Sequence, residues 1–338
     1  MKVGFIGKRS SGKTTLFEAV SGLNTSQHAG GLINIAKVRV KDPSIDKLTE
    51  IFKPKKTTYA EFDMIDYNRS MDAGDSMLGS AGLVSKYREL DALVIVAGVV
   101  DDLSAIKNEI NDVRVELNLL DAMILDAKIQ RMKKGTYDKQ EMALYEELLA
   151  KLEANQVIDR ASISKDHNRL LSAFQLFALK PLMLAINVTE DVLSSGKAKE
   201  IETEKLPYMV LSAEIEKELS SLSGSERDEF LKGYGLLEPL SERFIRLVYE
   251  TMDFISFYTV GEDEVRAWSI TKGSNALCAA GKIHSDIERG FIRASTVHYD
   301  EFLKYGDENK AKLAGVVRSE GKEYIVKHGD IIHFKFNV

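Results

Sequence analysis

Cysteine is almost absent from this chain. Cys278 is the only one in 338 residues, which excludes a disulfide framework and any zinc or iron–sulfur site built from several thiolates. Proline is scarce, five in all. No stretch is low in complexity, so a mainly disordered chain is excluded too. No apolar run approaches the ~18 residues of a membrane-spanning helix, and the apolar N-terminus is too short for a signal peptide. Neither charge dominates. The net charge is −6, which gives no global argument for binding nucleic acid. The six histidines, His28, His167, His284, His298, His328 and His333, show no metal-ligand spacing. What remains is an expectation of a soluble, cytoplasmic protein with no membrane contact and no DNA partner. At about 150 residues per domain, the length suggests two domains or three.

Strand and helix patterns alternate through the first two-thirds. Residues 2–6 read as a strand, followed by a Gly-rich turn and a helix over 12–21. Residues 57–66, 92–96, 182–187 and 208–212 have the β-branched and apolar texture of further strands. Such alternation implies a parallel sheet with right-handed crossovers, an α/β fold. Between the runs at 92–96 and 182–187 lies an insertion. Ile110, Val113, Leu117, Leu120, Ile124 and Ala127 recur at three- and four-residue steps. The pattern breaks at Lys133, Lys134, Gly135 and Thr136 and resumes at Met142, Tyr145, Leu149 and Leu152. This predicts an antiparallel helical hairpin whose two stripes pack against each other. After about residue 252, short strand-like runs at 256–260, 265–270, 291–297, 323–326 and 331–336 surround one helical stretch, 275–280. They predict a small α+β domain.

The chemistry sits in the first turn. Gly7, Lys8, Arg9, Ser10, Ser11, Gly12, Lys13 and Thr14 match the phosphate-binding pattern G-x-x-x-x-G-K-S/T, with a strand before it and a helix after it. The glycines let the backbone turn its N–H groups inward, and these donors bind phosphate together with the helix N-terminus. Lys13 would reach the β- and γ-phosphates, and the Thr14 hydroxyl would ligate Mg²⁺. These two are the catalytic candidates, and nucleotide contacts extend to Thr15. Asn187, Val188, Thr189 and Glu190 follow an apolar strand, where GTPases typically carry N-K-x-D. Glu190 stands in place of the base-reading Asp, and Val188 replaces the lysine that stacks on the base. Ser212, Ala213 and Glu214 follow the next strand and are candidates for the last base-contacting loop.

The chain resembles the YchF (Obg-like ATPase) family of translation-factor-related P-loop NTPases over nearly its whole length. The resemblance rests on Lys41-Asp42-Pro43, Asp46-Lys47-Leu48 and Lys53-Pro54-Lys55-Lys56-Thr57. It rests also on the helical insertion, on Asn187 to Glu190 and on Ser212-Ala213-Glu214-Ile215-Glu216. Further matches are Gly261-Glu262-Asp263-Glu264-Val265-Arg266-Ala267-Trp268, Ala280-Gly281-Lys282-Ile283-His284-Ser285-Asp286 and Gly290-Phe291-Ile292-Arg293-Ala294. Gly329-Asp330 and Phe334-Lys335-Phe336-Asn337-Val338 complete them. The resemblance implies a P-loop G domain at 1–105 and 176–252 and a coiled-coil helical insertion at 106–175. At 253–338 it implies a TGS domain, a ubiquitin-like β-grasp module. It further implies binding of ATP as well as GTP, slow hydrolysis, and association with ribosomes or RNA. The N-x-x-E spelling is that family's mark of relaxed base choice.

The sequence departs from the family at both switches. Gly30 falls near the family's first-switch Thr and has no side-chain ligand, and the only nearby hydroxyls are Thr25 and Ser26. Where the second switch normally reads D-x-A-G-L, this chain has Met64 for the Asp and Tyr67 for the Gly. Asp63 or Asp66 could hold Mg²⁺ through water. Alternation along the strand places Asp66 on the face of Phe62 and Met64, which favours Asp66 of the two, and both read equally well as ordinary strand-end carboxylates. The Gly-containing stretch 74–82 could be a remodelled switch or a plain loop.

Ribosome or RNA contact rests on the resemblance alone. Residues 253–338 hold 12 Lys and Arg against 13 Asp and Glu, which is not the footprint of a strong nucleic-acid binder. Three readings are therefore open: a slow Mg²⁺-dependent NTPase, a nucleotide-binding module that does not hydrolyse, and a scaffold that binds no nucleotide. The intact phosphate loop argues against the third.

Overall fold

The computed structural model describes residues 1–23, 25, 33–67, 78–100, 103–195, 206–236 and 238–337. Gly30, Ser26 and residues 74–77 lie outside the described residues. The chain divides into two compact units. One comprises Met1–Ala36 and Asp63–Leu247, the other Lys37–Phe62 and Val248–Val338.

The first unit is built on a six-stranded sheet in the order β2-β4-β1-β5-β6-β7. Its strands are β1 (Lys2–Ile6), β2 (Ile33–Arg39), β4 (Glu61–Tyr67), β5 (Ala92–Val100), β6 (Leu182–Val188) and β7 (Tyr208–Leu211). The pairs β4–β1, β1–β5, β5–β6 and β6–β7 are all parallel. Central parallel strands are covered on both faces, so β5 and β6 read as continuous apolar runs rather than alternating ones. The helices α1 (Lys13–Ser21), α3 (Ala81–Arg88), α4 (Leu103–Met132), α7 (Glu190–Ser194), α8 (Ala213–Ser221), α9 (Gly224–Gly233) and α10 (Leu240–Thr251) follow in chain order. Residues 81 and 82, the end of the Gly-containing stretch, form the first turn of α3.

The hairpin is α4 with α5 (Lys139–Glu153), followed by α6 (Lys165–Ser172). Its packing differs in part from the expected pairing of one stripe with the other. Ile110, Val113 and Leu117 of α4 belong to the core over the sheet, with Leu93, Ile95, Leu184 and Ile186. Beyond Asp121 the inward residues are Ala122, Leu125 and Ile129, packed with Met142, Tyr145, Leu148 and Leu152 of α5. Ala127 is exposed. A helix of 30 residues outruns the sheet, so its buried face changes partner halfway along.

The second unit contains α2 (Pro43–Phe52) and a sheet in the order β11-β10-β12-β8-β9-β3. Its strands are β3 (Lys56–Thr58), β8 (Phe254–Thr259), β9 (Glu264–Thr271), β10 (Phe291–His298), β11 (Arg318–Glu320) and β12 (Asp330–Phe336). The α11 helix (Ala276–Ile283) is capped by Asn275, whose side chain accepts from the Cys278 amide. It packs Ala276, Ala279 and Ala280 on Phe257, Phe291 and Phe334. Shorter helices α12 (Ser285–Arg289), α13 (Tyr299–Tyr305) and α14 (Glu308–Leu313) complete the unit. Residues 57–66, read as one strand, are two: β3 pairs with β9 in this sheet, and β4 pairs with β1 in the other. Residues 323–326 form a turn with a single bridge, Ile325 to Asn275, rather than a strand.

Candidate nucleotide-binding site

The loop after β1 runs through three left-handed residues, Gly7 (φ 147°), Ser10 (φ 62°) and Gly12 (φ 95°). A Cβ on Gly7 would fall 2.4 Å from the Val96 carbonyl oxygen, and one on Gly12 would fall 2.4 Å from Asn187 Nδ2. Both positions exclude any side chain. Lys8, Arg9 and Ser10 form the exposed rim. The Lys13 ammonium folds back over the loop and donates to the carbonyls of Gly7 (3.1 Å) and Lys8 (2.5 Å). Ser11 is buried beneath it.

The Thr14 hydroxyl donates to Asp66 Oδ2 at 2.8 Å. Asp66 lies at the end of β4 next to the loop, whereas Asp63 is level with Lys2 at the strand's far end. Asp66 is 1% exposed. Burial pushes its carboxyl above the usual aspartate range, against hydrogen bonds from Thr14 and Asn34 and the more distant Lys13 charge. Its hydrogen-bonding neighbours, Thr14 and Asn34, are neutral, the latter at 3.5 Å. A buried carboxylate beside a hydroxyl is a hard-oxygen pair of the kind that suits a small divalent cation. No cluster of three or more His, Cys, Asp or Glu that could hold a metal occurs among the described residues. The Thr25 hydroxyl is committed to Glu18 on α1, at 2.6 Å. Tyr67, at the expected glycine position of the second switch, is buried with its ring edge-on to Tyr87 at 4.7 Å.

Parallel strands bring the second half of the candidate set to the same sheet edge. Asn187, at the end of β6, donates from Nδ2 to the Ser11 carbonyl (3.3 Å) and accepts the Ala213 amide on Oδ1 (2.9 Å). One amide thus joins the phosphate loop to the loop after β7. Ser212 is buried with no hydrogen-bond partner for its hydroxyl, and Glu214 is exposed. Val188 is 1% exposed and packs in the sheet core, so its side chain faces away from solvent. Glu190 opens α7, is exposed, and accepts a hydrogen bond from the Tyr234 hydroxyl at 2.7 Å. Tyr234 and the anchor between Lys8 and Asp112 of α4 (2.8 Å) had no signature in the sequence. Tyr234, at the C-cap of α9, and Asp112, in α4, both lie far along the chain from the residues they meet.

Strand, glycine-bounded loop, helix and an adjacent acidic strand end define a P-loop NTPase domain, here with an inserted helical hairpin and a C-terminal α+β unit. The comparisons agree. The model of the YchF GTPase C-terminal region, described as a protein of unknown function (DUF933), matches residues 254–337. Proteins named ribosome-binding ATPase YchF are similar over the whole chain. That of Bacillus subtilis is 33% identical, with all of each chain covered. That of Escherichia coli O157:H7 is 34% identical over all of this chain and 99% of its own. The solved YchF GTPase of Schizosaccharomyces pombe superposes with a TM-score of 0.81 at 26% identity, covering 99% of this chain and 97% of that one. A GTP binding protein from Pyrococcus horikoshii shares the fold, with a TM-score of 0.62 at 20% identity over the full length of both chains. This chain belongs to the YchF family. No helix among the described residues is long and apolar enough to cross a membrane.

Proposed function

We propose that this protein binds ATP or GTP at residues 7–15, hydrolyses the β–γ phosphoanhydride slowly with Mg²⁺, and uses nucleotide state to control association with the ribosome. The observation that carries the reading is the Thr14–Asp66 contact beside Lys13 and the phosphate loop. Loop amides and the N-terminus of α1 would hold the phosphates. Lys13 would leave the Gly7 and Lys8 carbonyls to neutralise charge on the β- and γ-phosphates. Thr14 and Asp66 would hold Mg²⁺, which supplies charge neutralisation at the transferring group. Asn187, Glu190, Ser212 and Ala213 would line the base side, with Glu190 in place of Asp favouring relaxed base choice. Ribosome association is drawn from the names of the relatives, and it implies a cytoplasmic location.

A second reading has its own observation. By the sequence match, Tyr67 stands where the family has the glycine of its second switch, and its ring is held in the core against Tyr87. A protein with that turn could retain nucleotide without turning it over. Mg²⁺-dependent phosphate release from ATP and GTP, with Lys13→Ala as control, decides between them. Release that vanishes in the variant supports the NTPase. Nucleotide binding that depends on Lys13 without release supports the binding module. Binding unaffected by Lys13→Ala sinks both.

A further inference from the structure

We propose that Tyr234 sets the nucleobase preference of this site by occupying one oxygen of Glu190. The inference rests on the nucleotide-binding reading above. The Tyr234 hydroxyl donates to Glu190 Oε1 at 2.7 Å. Tyr234 sits at the C-terminal end of α9, 44 residues along the chain from Glu190, with its ring tilted against Phe230 at 5.0 Å. That ring contact holds the hydroxyl toward α7.

Guanine presents two adjacent donors, N1–H and the N2 amino group. A carboxylate matches them by using both of its oxygens, one bond to each. With Oε1 accepting from a phenol, only Oε2 keeps both of its lone pairs for the base. A second guanine donor must then share Oε1 with the phenol, and that shared bond adds little over the first. The only donor adenine presents on that edge is the N6 amino group, and one oxygen satisfies it. Tyr234 thus removes the advantage of guanine at the position where a carboxylate would otherwise confer it. The phenol acts through Glu190 and is a positioning residue.

The test is the affinity of the full-length protein for ATP, GTP and inosine triphosphate, with and without Tyr234→Phe. Inosine keeps N1–H and lacks the N2 amino group, so the GTP-to-inosine ratio reports whether a second oxygen is in use. The wild-type protein is expected to bind GTP and inosine triphosphate alike. Tyr234→Phe frees Oε1, and GTP affinity should rise about tenfold over inosine triphosphate, the range of one hydrogen bond to a charged group. ATP affinity should stay unchanged. Adding Glu190→Gln, which replaces one acceptor oxygen by a donor, should abolish the gain. A merely structural role for Tyr234 would shift all three nucleotides together. The inference is overturned by a GTP-to-inosine ratio that Tyr234→Phe leaves unchanged, or by a gain that survives Glu190→Gln. If no nucleotide binds above the Lys13→Ala level, the nucleotide-binding reading falls and takes this inference with it.

Discussion

The Asn187 side chain fills the space that a side chain at Gly12 would need. A Cβ at position 12 would fall 2.4 Å from Asn187 Nδ2, and Gly12 has a φ of 95°. Asn187 is in turn bonded to Ser11 and Ala213. Close approach at Gly12 is therefore what lets one amide hold the phosphate loop and the loop after β7 together.

Gly12→Ala should accordingly do two things. It strains a left-handed backbone and pushes Asn187 off its two partners, a combined loss of about 1–3 kcal/mol in stability. Nucleotide affinity should fall as well, by about tenfold or more for one lost charge-assisted contact. Gly22→Ala is the control. Gly22 is also left-handed (φ 70°), but nothing lies within 4 Å of its Cβ position. It should lose only about 1–2 kcal/mol, the cost of a non-glycine residue in the left-handed region, and bind nucleotide normally. Equal nucleotide affinities for the two variants would refute the role assigned to Asn187.

Asp66→Asn tests the cation site. The amide keeps the shape and can still accept from Thr14, but it carries no charge. Mg²⁺ affinity in the nucleotide complex should fall about 10- to 100-fold, read from the Mg²⁺ dependence of nucleotide binding. Stability without nucleotide should not fall, because a buried carboxylate raised by desolvation is replaced by a neutral group. A variant that loses stability and keeps its Mg²⁺ dependence would make Asp66 a structural residue only.

The anchor between Lys8 and Asp112 should contribute little to stability. Both side chains are 49% exposed, and exposed pairs contribute about 0.2–1 kcal/mol. A double-mutant cycle with Lys8→Met and Asp112→Asn should return a coupling in that range that shrinks with added salt. A salt-independent coupling would mean that the pair is more desolvated than its exposure indicates.

How far the sequence could be read depended on the distance between partners. β1, the phosphate loop and α1 are local signals and were plain. Alternation along β4 put Asp66 with Phe62 and Met64, and that face is buried. Residues 57–66 misled because propensity is blind to pairing. Thr57 pairs with Val265, about 200 residues away, while Met64 pairs with Val3. The α4 stripe was visible, yet nothing in its spacing marks where its partner changes from sheet to α5. Tyr234 carries no motif because its partner, Glu190, is brought near only by the fold.

The change of partner along α4 falls at a buried ion pair, Arg88 with Asp121 at 2.7 Å. Arg88 also donates to the carbonyls of Leu120 and Gln175 and lies 4.1 Å from the centre of the Phe177 ring. Asp121 accepts the Ala178 amide. Removing one partner leaves these groups uncompensated, so Arg88→Met should lose about 3–5 kcal/mol in urea unfolding. Arg88→Met with Asp121→Leu should lose less than Arg88→Met alone.

The pH dependence of this pair has a definite sign. Burial pushes the Asp121 carboxyl above the usual aspartate range, despite the Ala178 amide and Arg88, which pull it down. A carboxyl with a raised folded-state pKa holds its proton more tightly in the folded protein than in the unfolded one. Its contribution to stability is therefore greatest below the unfolded-state value, about 4. It declines as the pH rises through the raised folded-state value and is level above it. Asp121→Asn removes this dependence. The stability lost in Asp121→Asn should thus be largest near pH 4 and shrink toward neutral pH, while effects from the rest of the protein cancel in the difference. A pair governed by attraction alone would behave in the opposite way, with the loss growing as the carboxylate ionises. Urea unfolding of both proteins from about pH 4 to 8 distinguishes the two, and a loss that grows with pH would show that Arg88 outweighs desolvation at Asp121.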